Sequence, residues 1–279
     1  VDECAPFENV YTLALRGLHD RAMNASNNMS DRKEMLQEAL MAQRQMLVDA
    51  IGKRAEDIPQ AFTPYKEVLD VYDQGLELPD DVTIIWPDDN YGYMKRLSSP
   101  KEQKRSGRSG VYYHSSYLGK PHDHLWMNTT SPTLMYEELR KAYDLTADRV
   151  WLLNAGDIKS CEFAVDYFLT MAFDIDSFNF ERAANYRTEW LCEYQDVINS
   201  FYKLAFARKP EFMGWGYQWA TDKHGRERNT DTDFSLANYR EVDTRLAEYR
   251  RIGNMAEKIL KALPEDKKAC YYQSLYYPV

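Results

Sequence analysis

Residues 82–93 read VTIIWPDDNYGY, and this stretch decides the fold. Its first five residues are β-branched, aliphatic or aromatic, the composition of a buried strand. Pro87 ends regular pairing, and Asp88, Asp89 and Asn90 follow at once as a polar cluster. A strand that runs straight into polar groups fits a parallel α/β sheet, in which active sites gather at the C-terminal ends of the strands.

The same strand texture recurs at 8–16 (ENVYTLALR), 110–117 (GVYYHSSY) and 149–154 (RVWLLN). Helical patterns separate these runs. Residues 31–51 place Met35, Leu36, Leu40, Met46, Leu47 and Ile51 at three-and-four spacing. Residues 64–75 open on Pro and stop at Gly, and 131–144 open on Ser-Pro, a cap followed by proline at the first helical position. Strand–helix alternation predicts a parallel sheet. Beyond about residue 175 the strand texture stops. Residues 178–207, 233–262 and 264–276 read as helices, joined by a polar loop at 221–233, with breaks at Pro210 and Pro264. The expected architecture is α/β: part of a TIM-type β/α barrel over 1–175, then an all-α helical bundle over 176–279. Four strand–helix units are half of an eight-stranded barrel, so the remainder must come from elsewhere.

Composition narrows the function. The 279 residues hold 35 Lys and Arg against 44 Asp and Glu, a net charge of −9. The pI is about 5.2 and the mean hydropathy −0.64. This balance argues against nucleic acid or an anionic membrane as partner, and no apolar run approaches the roughly 18 residues of a spanning helix. With 44% hydrophobic and 14% aromatic residues the chain is globular rather than disordered. Cys4, Cys161, Cys192 and Cys270 lack CxxC spacing and indicate neither a zinc site nor a disulfide scaffold. The chain starts at Val1 without a signal-like segment, so it is expected to begin after processing or inside a larger protein.

Four polar clusters follow the expected strands. In WPDDNYGY, Asp88, Asp89 and Asn90 either reach the sheet mouth or form a turn that satisfies local backbone groups. In NAGDIKSCE, Asn154, Asp157, Lys159 and Glu162 either line a site or start a helix with Asp157 as cap. In YYHSSYLGKPHDHLW, Tyr113, His114 and His122 suit a sugar pocket, where rings pack on a pyranose and imidazoles bond hydroxyls. His122 and His124 alternate across a strand, and no third ligand has metal spacing, so no metal is expected. In LRGLHD, Arg16, His19 and Asp20 end the first strand, and a carboxylate that held Arg16 in place would leave a fork for an anion. Several carboxylates without a phosphate or metal motif read as glycosidic hydrolysis. GxSxG, Walker A and GxGxxG are all absent.

At these residues the sequence resembles glycoside hydrolase family 115, the α-glucuronidases of xylan breakdown. The resemblance runs through ENVYTLALRGLHD, the stretch from PQAFTPYKEVL to WPDDNYGY, KRSGRSGVYYHSSYLGKPHDHLWMNTTSP, DRVWLLNAGDIKSCEFAVDYF and RKPEF, and ends in YYQSLYYPV. It implies an α/β barrel followed by a helical domain, and removal of (4-O-methyl-)glucuronic acid from α-1,2 linkages on xylan, with inversion and without a cofactor. Carried over by position, the pocket would contain Asp88, Asp89, Asn90, Asn154, Asp157, Glu162, Arg16, His19, Asp20, Tyr113, His114 and His122. Inversion uses an acid and a base with carboxyls about 6.5–9.5 Å apart. Asp88 or Asp89 would supply one role and Glu162 the other, with Arg16, His122 and Lys159 as candidates for the uronate carboxylate.

The chain departs from the family at Ala155, Ser160 and Cys161, where NVGDIKPAE is usual, and at Ala14 and Arg108, where glycine is common. Family members are also several times longer, so this chain is expected to be the second part of the barrel plus the helical domain. A polymer substrate favours a secreted or periplasmic setting. The aromatic segment FMGWGYQWA (212–220) either covers the barrel mouth, crosses a dimer interface or buries in the bundle, and the second of these makes a homodimer the expected assembly.

Overall fold

A computed structural model describes the chain apart from residues 2, 5, 18–21, 24–27, 118–126, 192–193, 211–218, 222–226 and 230–234. For residues 160, 187–191, 219–221 and 227–229 only the backbone is described. Five parallel strands form one sheet in sequential order: β1 (Tyr11–Leu13), β2 (Gln60–Phe62), β3 (Thr83–Pro87), β4 (Ser109–His114) and β5 (Ala147–Asn154). Leu13 pairs with Phe62, Phe62 with Ile84, Ile84 with Ser109 and Trp86 with Val111. Parallel strands in chain order with helical crossovers are the arrangement of part of a β/α barrel.

The chain divides into two compact units. One comprises Val1–Asp89, Met94–Tyr113 and Leu139–Leu152. Its first crossover is α1 (Met29–Ile51), which the heptad-like spacing anticipated; Leu36, Leu40 and Leu47 lie buried on one side. The Asn28 side chain accepts from Ser30 N at the N-terminus, and Gly52 closes the helix at φ 73° with its N–H on Val48 O. The second crossover, α2 (Glu67–Asp73), is shorter than the expected 64–75 and starts three residues after Pro64, because Lys66 takes φ 53°. Leu13, Phe62, Ile84, Ile85, Trp86 and Val111 form this unit's buried core. Gly110 is required in β4: a Cβ there would lie 2.1 Å from Val150 O.

The other unit comprises Asn90–Tyr93, His114–Glu138 and Leu153–Val279. The helix α3 (Pro132–Asp144) begins at the proline of Ser-Pro, as its sequence implied. After α4 (Ile158–Phe173), the stretch expected as one helix over 178–207 is two, α5 (Phe180–Leu191) and α6 (Gln195–Ala207). Phe163, Tyr167, Phe178 and Tyr186 form an edge-to-face and stacked aromatic cluster with centroids 5.1–6.1 Å apart. Within it Tyr167 donates to Pro132 O at 2.9 Å, and burial pushes its phenol pKa up. Helix α6 buries Val197, Ile198, Phe201 and Tyr202 against Ile252 and Ala256 of α7 (Glu241–Ala262). Tyr271, the last residue of α8 (Glu265–Tyr271), and Leu275 join them.

Two expectations need correction. Strand β2 sits in PQAFTP, where the four residues between prolines are too few to show a period. The segment 221–233, read as a polar loop, contains part of an antiparallel pair, β6 (Trp219–Thr221) with β7 (Glu227–Asn229). No described helix is long and apolar enough to cross a membrane.

Candidate active site

In the first unit, Arg16 lies three residues beyond β1, and Glu67 from the first turn of α2 engages it in a bidentate fork. Nε donates to Oε1 and Nη2 to Oε2, each at 3.1 Å. The Arg16 guanidinium also lies 5.5 Å from the Tyr65 ring centroid. This is the carboxylate partner that the sequence called for, and its identity comes from the turn after the unrecognised strand β2. Both side chains are about one-fifth exposed, so the pair is held in a defined geometry yet stays reachable.

Asp88 directly follows β3 and is 5% exposed, its backbone N donating to Tyr112 O at 3.1 Å. Asp89 is more open and faces Lys95, with Nζ to Oδ2 at 3.5 Å. Tyr113, at the end of β4, is fully buried.

Around Trp86, two residues before Asp88, lies a network that the sequence reading did not contain. The Trp86 indole is fully buried and donates to Ser98 Oγ at 2.9 Å; that oxygen meets Ser109 Oγ at 3.0 Å. The Arg96 guanidinium lies 4.5 Å over the Trp86 ring and donates to both Glu102 oxygens at 2.7 and 2.9 Å. The Tyr72 hydroxyl donates to Glu102 Oε1 at 2.8 Å. Burial by itself would raise the Glu102 carboxyl pKa. The Arg96 hydrogen bonds, with those from Ser99 and Tyr72, override it and hold Glu102 down at about 2. Burial pushes the Tyr72 phenol up, and its bond to ionised Glu102 adds to that. The sequence signal was present. Ser99-x-x-Glu102 is a capping box: Ser99 N donates to Glu102 Oε2 at 2.6 Å and Glu102 N to Ser99 Oγ at 3.4 Å. The network fixes the ring of the residue two before Asp88.

In the second unit, Asn90 takes φ 71° and Gly92 φ 91°, so WPDDNYGY does contain the tight turn that its composition allowed. His114 is 2% exposed, with its ring edge-on to Tyr117 at 5.6 Å. Ser115 N and Ser116 N donate to Asn154 O at 3.0 and 3.4 Å, which brings the residues after His114 to the end of β5. Asp157 holds the N-cap position of α4, although its side chain makes no capping bond. Lys159 and Glu162, three residues apart near the start of α4, meet each other with Nζ to Oε1 at 2.6 Å. The Glu162 hydrogen bond raises the Lys159 pKa. His19, Asp20 and His122 lie outside the described residues.

In the first unit Arg16, Asp88 and Asp89 follow strands of the parallel sheet; in the second, His114 and Asn154 end strands, and Lys159 and Glu162 lie near the start of α4. Carboxylates are the groups of general acid–base chemistry, and a guanidinium or ammonium group suits an anion.

The model of glycosyl hydrolase family 115 matches residues 1–212. A search of the curated proteins finds no match. Among solved structures, a chain of BtGH115A is similar at a TM-score of 0.87 and 37% identity. BtGH115A is a novel family GH115 4-O-methyl-alpha-glucuronidase with specificity for decorated arabinogalactans. The similarity covers 99% of the present chain and 37% of that one, so the present chain spans little more than a third of its relative.

Proposed function

Because the chain belongs to glycosyl hydrolase family 115, we propose that it is the pocket-bearing part of an α-glucuronidase that releases (4-O-methyl-)glucuronic acid side chains from a polysaccharide. The observation that carries the reading is the extent of the family match, residues 1–212, which spans all five parallel strands and every candidate side chain. In the proposed reaction one carboxylic acid protonates the glycosidic oxygen. A carboxylate takes a proton from water as that water attacks the anomeric carbon from the opposite face, inverting its configuration. Asp88 or Asp89 takes one role and Glu162 the other. Arg16, His122 and Lys159 receive the uronate carboxylate, and the polar groups of Asn90, Tyr113, His114, Asn154 and Asp157, with His19 and Asp20, receive hydroxyls. The reaction consumes only water. In the same reading residues 1–175 are the barrel portion and 176–279 a helical domain that supports it. The enzyme works on polymer outside the cytoplasm, as a homodimer.

The linkage and main chain have two readings. The family resemblance favours α-1,2 linkages on xylan. The specificity of BtGH115A for decorated arabinogalactans favours a galactan main chain. Incubation with 4-O-methylglucuronosyl xylo-oligosaccharides and, separately, with uronate-decorated arabinogalactan, followed by chromatography of free uronic acid, distinguishes them. Release from one substrate names the main chain. No release from either overturns the activity for this chain. Asp88→Asn, Asp89→Asn or Glu162→Gln is expected to lower release by at least about 100-fold with folding intact. Undiminished release in all three variants would remove the catalytic assignment.

A further inference from the structure

The segment YYQSLYYPV (271–279) forms a π-helical turn at Tyr272–Tyr276, a rare element that is frequent at functional sites. The turn sorts its residues. Tyr271 and Leu275 are 1% and 0% exposed, and the Tyr271 hydroxyl donates to Ala256 O at 3.2 Å. These two complete the core between α6 and α7. Tyr272 and Tyr277 are 45% and 55% exposed, and they stack on each other, with centroids 5.7 Å apart and planes 21° from parallel. The same turn is tied to the start of α4: Gln273 Nε2 donates to Lys159 O at 2.8 Å, and the Lys159 side chain meets Glu162.

We infer that Tyr272 and Tyr277 form an aromatic platform that seats a neutral pyranose of the polysaccharide main chain near Lys159, to which the same turn is bonded. The inference rests on the proposed function and names how the polymer, as distinct from its uronate, is held. A tyrosine ring has an electron-rich face that attracts the partly positive C–H groups lining one side of a pyranose, and its hydroxyl at the wet rim can bond sugar hydroxyls. The stacked pair holds both rings in place before a ligand arrives, so little side-chain entropy is lost on binding. The size of the surface also selects the occupant. Two half-exposed rings suit one or two sugar residues and fall far short of the roughly 800 Å² per partner of a stable protein interface. Xylose and galactose both present the C–H face that the platform requires, so the platform accepts either main chain.

The test is calorimetric titration of the full chain with three probes: 4-O-methylglucuronic acid, 4-O-methylglucuronosyl xylo-oligosaccharide and a uronate-decorated galacto-oligosaccharide. Tyr272→Ala and Tyr277→Ala should each weaken binding of the matching oligosaccharide about tenfold and leave the free uronic acid at wild-type affinity. Tyr272→Phe and Tyr277→Phe, which keep the rings, should stay within about twofold of wild type. Wild-type oligosaccharide affinity in both alanine variants overturns the platform. So does an equal loss for the free uronic acid, because that outcome assigns the tyrosines to the shape of the α4 start. If wild-type protein binds neither the uronic acid nor the oligosaccharides, the proposed function fails and the platform with it.

Discussion

The end of β3 and the start of α4 carry the two halves of the proposed acid–base pair, and they are built in contrasting ways. At β3 the approach to Asp88 is anchored from behind by fully buried Trp86, by the Ser98–Ser109 hydroxyl pair and by an Arg96–Glu102 pair in which Glu102 is 12% exposed. At α4 the candidate side chains Lys159 and Glu162 meet each other at 2.6 Å, and Lys159 is 77% exposed. Water screens the second pair and barely reaches the first. The contrast teaches that similar polar motifs after strands of one sheet can differ widely in how firmly they are held. The β3 end is held by buried hydrogen bonds, whereas the exposed Lys159–Glu162 contact breaks at small cost.

The largest expected effect breaks the stiff side. Arg96→Met leaves Glu102 without its principal partner and removes the cation over Trp86, which should cost about 2–3 kcal/mol in urea unfolding at pH 7. The pH dependence follows from the direction of the Glu102 shift. Its folded pKa, about 2, lies below the ordinary 4.5, so its contribution is complete above pH 4.5 and is lost as the pH falls towards 2. The gap between wild type and variant should therefore narrow over that window. A gap that stays constant down to pH 2 would mean that Glu102 ionisation is not what Arg96 supports.

The intermediate effect tests the loose side. Lys159→Met is expected to leave the urea midpoint unchanged, since a single exposed contact between residues three apart on a helix carries little stability. The same change should raise KM for a uronate substrate if Lys159 is exchanged from Glu162 to the ligand. A clear drop in stability would show that α4 depends on this pair and would erase the contrast with β3.

Legibility in the sequence followed the length of the signal. Strands β3, β4 and β5 and helix α1 announce themselves over five or more residues each and lie within a few residues of where texture or period put them. Strand β2 is three residues long and flanked by Pro59 and Pro64, so no alternation could build up, and with it the partner of Arg16 was hidden. The candidate side chains were readable because they crowd together just after strands. What supports them was not. Arg96 and Glu102 share one irregular stretch, and Tyr72 joins them from 30 residues before Glu102, so the three meet through packing rather than through a periodic pattern. Their one local trace, the Ser99-x-x-Glu102 box, reads as an ordinary helix start.

The smallest expected effect concerns Arg108, at a position where glycine is common in the resembling family. Arg108 has φ 51°, the left-handed region in which a side chain costs roughly 1 kcal/mol relative to glycine. That backbone supplies the reason for glycine there. Arginine offsets part of the strain by bonding Asp148, with Nε to Oδ1 at 2.7 Å and Nη2 to Oδ2 at 2.6 Å. The pair is more than a quarter exposed at both ends, so its return is at most about 1 kcal/mol. The two terms nearly cancel, and Arg108→Gly should unfold within about 1 kcal/mol of wild type. Arg108→Ala keeps the strained φ and discards the ion pair, so it should be the least stable of the three. If Arg108→Ala matched Arg108→Gly, the left-handed backbone would carry no cost here, and the glycine preference would need a source other than conformation, such as the close approach of Gly107 to Val82 O one residue earlier.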